Sequence, residues 1–99
     1  MKMTVLEDVL QEELERLTRI KQKTNEEIEK LPKGYLSKKK IRGYDCYYLQ
    51  HREGDKIVGF YVKEKDIPVY AAEIERRRAL QRSLKEINAE LKKIQRVVK

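Results

Sequence analysis

Tyr44-Asp45-Cys46-Tyr47-Tyr48-Leu49-Gln50-His51 runs through Arg52 into Glu53-Gly54-Asp55-Lys56 and then Ile57-Val58-Gly59-Phe60-Tyr61-Val62, and the class of the protein follows from this stretch. Its aromatic and β-branched residues favour extended backbone. The segment around Gly54 is a hairpin turn, since glycine takes a positive φ at no steric cost. Along the last run Val58, Phe60 and Val62 fall on one side of a strand, with Ile57, Gly59 and Tyr61 on the other. Gly43 punctuates the chain before Tyr44, so a further strand is expected upstream. The pattern predicts a three-stranded antiparallel meander within residues 34–63, its strands at roughly 35–41, 45–52 and 57–63.

On both sides of the meander the hydrophobic period changes from two to about 3.6. Met3, Leu6, Leu10, Leu14, Leu17, Ile20, Ile28 and Leu31 make one helical stripe. As heptads, the a positions are Met3, Leu10, Leu17, Thr24 and Leu31, and the d positions are Leu6, Glu13, Ile20 and Glu27. Two glutamates at d are poor for a dimeric zipper, and Leu14 and Ile28 widen the stripe toward a broader partner. Thr4 with Glu7 reads as a capping box, while Pro32 and Gly34 stop the helix near Leu31. Downstream, Asp66 is a suitable N-cap and Pro68 fits the first turn. Ile67, Ala71 and Ile74 begin a second stripe, which slips across Arg76-Arg77-Arg78. It resumes as Leu80, Leu84, Ile87, Leu91, Ile94 and Val98. An α+β domain spanning residues 1–99 is expected: helix 4–31, meander 34–63, helix 66–98. The two helices would form an antiparallel, coiled-coil-like pair.

Charge supports that pairing. The net +7 of this 99-residue chain is unevenly placed. Residues 1–31 hold six cations against eight acids, residues 32–66 nine against five, and residues 67–99 nine against four. The first helix is mildly acidic and the positive field belongs to the middle and the second helix. Charged residues make up 41% of the chain and there is no Trp, so a large central core is excluded and helix seams or oligomerisation must supply stability. The short apolar runs suit neither a membrane span nor a signal-peptide core. Cys46 is the single cysteine, which suits a reducing cytoplasm.

Catalysis is not expected. One His and one Cys do not make a zinc site. His51 and Cys46 lie five apart on one strand and so point to opposite faces, against a nucleophile pair. Cys46 reads as a small buried hydrophobe and His51 as a solvated strand residue. No phosphate loop or nucleophile elbow is present. Neither a cofactor nor a small-molecule substrate is called for.

The positive features are basic and aromatic. Lys33 to Arg42 contains five cations and no acid. Lys38, Lys39, Lys40 and Arg42 could neutralise phosphates or protect the edge of a small sheet. Tyr35, Tyr44, Tyr47, Tyr48 and Tyr61 crowd the same region. Alternation gives some of them to a core and leaves others to stack on bases or fill a protein interface. Arg76, Arg77 and Arg78 spread around a helix, but Arg78 and Arg82 share a face. That face could grip phosphate or pair with acids.

Leu31-Pro32-Lys33-Gly34-Tyr35-Leu36-Ser37, with Tyr47-Tyr48-Leu49-Gln50 and Arg52-Glu53-Gly54, resembles the core of small uncharacterised proteins of bacteria and their mobile elements. The likeness covers roughly residues 28–90 and implies no function. The layout is also similar to that of the three-stranded arm-binding modules of conjugative-transposon tyrosine recombinases. That similarity implies a sheet laid in the DNA major groove, with Lys38, Lys39, Lys40, Arg42, Tyr47 and Arg52 at the matching strand positions.

The expected function is nucleic-acid binding, DNA or RNA, through Lys38, Lys39, Lys40, Arg42, Tyr47, Arg52, Arg78 and Arg82. The other expectation is a protein-interaction module, an adaptor, inhibitor or scaffold that uses its helices or its tyrosines on another protein or on itself.

Overall fold

The computed structural model describes residues 5–97, in the order α1 (Val5–Lys30), β1 (Tyr35–Ile41), β2 (Tyr44–Glu53), β3 (Lys56–Val62), one 3₁₀ turn (Glu64–Asp66) and α2 (Ile67–Val97). Met3, Thr4 and Val98, placed in the helical stripes and the capping box from sequence, lie outside the described residues. The α+β architecture is the one the periodicities predict. Asp66, the expected N-cap, directly precedes α2 and also closes the 3₁₀ turn, its amide donating to the Lys63 carbonyl at 2.9 Å.

The described chain divides into two compact units, one built from α1 to Glu29 with α2 from Ala79, the other from Lys30–Arg78. In the first, Leu17, Leu91 and Ile94 are buried together, with Leu10, Leu14 and Ile87 packed around them. This is the antiparallel helix seam. Thr24 is buried at its a position without penalty, because its hydroxyl donates to the Ile20 carbonyl at 2.8 Å. Glu13, at a d position, turns instead to Arg16, whose Nε donates to it at 3.0 Å. That bonding guanidinium holds the Glu13 carboxyl below the usual carboxylate range. Leu6, expected in the stripe, is 68% exposed, as are Val5 and Val9 in large part. Among the described residues the packed seam of α1 begins at Leu10 and meets the late α2 residues Leu91 and Ile94.

The second unit is an antiparallel sheet of order β1-β2-β3. Ile41 pairs with Tyr44, leaving Arg42-Gly43 as a two-residue loop, and Glu53 pairs with Lys56 around Gly54-Asp55. Both Arg42 (φ 51°) and Gly43 (φ 85°) are left-handed, the type I′ geometry that matches strand twist. Gly34, at φ 105°, is required for space as well. A Cβ there would lie 2.0 Å from the Gln50 carbonyl oxygen.

One face of the sheet carries the core. Leu49 (3% exposed), Val62 (2%) and Ile74 are buried, with Leu36, Tyr47, Ile67 and Tyr70 packed on them. Phe60 shares that face and meets Tyr70 edge-on at 5.8 Å. Ile74 and Tyr70 come from the start of α2, so the stripe before Arg76 serves the sheet and the stripe after Arg78 serves α1. The slip in the heptads marks this change of duty. Arg77, between them, donates from Nη1 to the Leu31 carbonyl oxygen at 2.8 Å. No helix among the described residues is long and apolar enough to cross a membrane.

Candidate functional site

Strand register assigns every sheet residue to a face, because directly paired residues share one. Leu36, Leu49 and Phe60 form one row of the core face, and Lys38, Tyr47 and Val62 the next, followed by the pair Lys40 and Asp45. The opposite face is made of Tyr35, Ser37, Lys39 and Ile41 on β1, then Tyr44, Cys46, Tyr48, Gln50 and Arg52 on β2. Ile57, Gly59 and Tyr61 on β3 complete it. Among the described residues, the buried cluster of the sheet unit draws its strand residues from the core face, and Tyr44 and Tyr61 are 75% and 57% exposed.

None of these positions is acidic. Both strand carboxylates, Asp45 and Glu53, have the other parity and fall on the core face. The open face therefore combines four tyrosines with Lys39 and Arg52 and carries no strand charge to repel an anion. Its centre is ordered by ring contacts. Tyr48 and Tyr61 are direct cross-strand partners, with centroids 5.9 Å apart and planes at 73°. The Lys39 Nζ sits 5.5 Å from the Tyr48 centroid, within cation–π range.

Within the sheet, the residues singled out from sequence are divided between its two faces. Lys39 and Arg52 lie on the open face, and Arg42 stands exposed at the tip of the first hairpin. Lys38 and Lys40 project along the core-face edge. Lys38 places Nζ 3.5 Å from Asp45 Oδ2, so the basic run has an acid after all, supplied by the neighbouring strand. Tyr47 lies on the core face, half-buried against the Leu49, Val62 and Ile74 cluster. Arg78 is exposed on α2 in the sheet unit, whereas Arg82 falls in the helix-pair unit. Tyr35, Tyr44, Tyr48 and Tyr61 are the aromatics that the open face presents. Parity with Leu49, the most apolar residue of β2, was the signal that separates Tyr48 from Tyr47.

Cys46 and His51 take opposite faces as expected, but Cys46 is half-buried on the open face and not a core residue. His51 Nε2 lies 3.0 Å from Glu53 Oε1 on the core face. At one end of the sheet Asp45, Tyr47, Tyr61, Val62, Glu64 and Ile67 line a recess of about 320 Å³, so Tyr61 shares it with two carboxylates. Among the described residues no group of three or more His, Cys, Asp or Glu could hold a metal.

Comparison with protein-family models, curated proteins and solved structures finds no match.

Proposed function

We propose that this chain is a non-catalytic nucleic-acid-binding module that works through the open face of its sheet. The observation that carries this reading is the segregation of charge by strand parity, which gives one face four tyrosines, Lys39 and Arg52 and no carboxylate. Tyrosine rings supply stacking area and the cations neutralise phosphate. Arg42 at the hairpin tip extends the cationic rim, and Lys38 and Lys40 add field at the β1 edge, Lys38 at reduced strength because of Asp45. The likeness in layout to sheet-based arm-binding modules points the same way. Binding should be strongest at low ionic strength and weaken by one or more orders of magnitude between ~50 and ~200 mM salt. Fluorescence anisotropy with labelled oligonucleotides tests this, and no binding at the low end would end the reading.

A second reading has its own observation. Val5, Leu6 and Val9 on α1 and Val97 on α2 are large, apolar and exposed, which favours self-association or a protein partner through the helix pair. Sedimentation velocity across a concentration series separates the two, since a Leu6→Lys variant would dissociate only a helix-mediated assembly.

A further inference from the structure

We infer that the ligand of the open face is single-stranded DNA, a specification that rests on the nucleic-acid reading above. Ring faces can stack only on bases whose own faces are free. Duplex stacking covers them, whereas a single strand presents them. A duplex offers phosphates and base edges and keeps its base faces covered. Here the centre of the face is the Tyr48–Tyr61 ring pair, with Cys46 and Gln50 beside Tyr48 on β2 and Lys39 over its ring.

The central pair fits a stacking role in detail. With planes at 73°, Tyr48 and Tyr61 cannot both lie flat against one base, so each serves a different nucleotide or one ring braces the other. Lys39, poised over Tyr48, covers a ring face in the free protein. Its flexible stem lets the ammonium move to a phosphate when a base arrives. Gln50 is the one amide on this face. Opposite it, Gly59 has no side chain, and a Cβ there would come within 2.8 Å of Gln50 Cγ, so the glutamine lies across β3. A single positioned amide gives one hydrogen-bonding group for a base edge among several sequence-tolerant stacking surfaces.

Thymine is favoured by the apolar residues of this face. Ile41 and Ile57, 43% and 62% exposed on the two edge strands, supply contact suited to the thymine methyl that uracil lacks. The absence of strand carboxylates from the face supplies the charge complementarity that a polyanion requires.

The test is anisotropy with the full chain at ~50 mM salt. It compares a thymine oligonucleotide of about a dozen nucleotides, the uridine RNA of equal length, and a mixed-sequence duplex. Tighter binding to the thymine strand is expected. Tyr61→Ala and Tyr48→Ala should each weaken it by about 5- to 100-fold. Tyr61→Leu keeps apolar area without a ring, guards against loss of fold as checked by circular dichroism, and should weaken binding similarly. A preference for duplex or for RNA, or full affinity in folded Tyr61→Leu, would overturn the single-stranded DNA assignment while leaving nucleic-acid binding standing. No binding to any of the three would remove both.

Discussion

Arg77 Nη1 donates to the backbone carbonyl oxygen of Leu31 at 2.8 Å, joining the first residue after α1 to the early part of α2. The last carbonyls of a helix have no partner within it, and a part-buried guanidinium satisfies one at a favourable end of the dipole. Arg77→Met keeps much of the stem and removes the donor. It should cost ~1.5–3 kcal/mol in urea denaturation, and Arg76→Met on the exposed side less.

Two glycines should respond differently to alanine. Gly34→Ala combines a left-handed φ with a collision against the Gln50 carbonyl, and should cost more than ~2 kcal/mol. Gly43 is also left-handed, but a Cβ there meets nothing within 4 Å. Gly43→Ala should therefore cost only the backbone term of ~1–2 kcal/mol. Thermal unfolding of both variants checks the contrast.

Tyr47 and Tyr61 provide a face-specific pair. Tyr47→Ala removes a half-buried ring from the cluster of Leu49, Val62 and Ile74 and should lose ~2 kcal/mol of stability. Its effect on nucleic-acid affinity, measured on the folded fraction, should be small. Tyr61→Ala should show the opposite pattern, weak in denaturation and strong in anisotropy.

Salt titration should separate neighbours in the basic run. Lys39→Gln and Arg52→Gln are each expected to reduce the slope of log K against log salt by about one. Lys38→Gln should reduce it less, because Asp45 already stands 3.5 Å from that ammonium and would remain as a local negative charge.

In the helix pair, Leu17→Ala and Leu91→Ala each empty a buried position at the same level of the seam. Each should cost ~2–4 kcal/mol, and the double variant less than the total of the two, because the residues belong to one buried cluster. Calorimetry on the four proteins measures that coupling.

Much of this was readable from residue order. Pro32 and Gly34 bounded α1, Gly54 placed the second hairpin, and alternation through Val58, Phe60 and Val62 gave the core face of β3. The slip at Arg76-Arg77-Arg78 was visible as a break in spacing. Its meaning needed the structure, since a heptad count does not say that one helix packs on a sheet before the break and on a helix after it. Composition alone does not distinguish Tyr47 from Tyr48, whereas parity with Leu49 puts Tyr47 on the core face and Tyr48 on the opposite one. The Lys38–Asp45 contact joins residues of different strands, so a scan for acids within the basic run could not find it. The Arg77–Leu31 bond pairs a side chain with a carbonyl, which no residue-type pattern encodes.

The two tight hairpin loops carry a kinetic consequence. Every strand pairing in the sheet is local in sequence, and two-residue turns close with little loss of chain entropy, so hairpins of this kind form within about 1–10 μs. Leu17 and Leu91 stand near opposite ends of the chain, and their contact must close a far longer loop. Folding is therefore expected to start in the middle. Variants at Gly34 or the Arg42-Gly43 turn would slow refolding, whereas variants at Leu17 or Leu91 would chiefly speed unfolding.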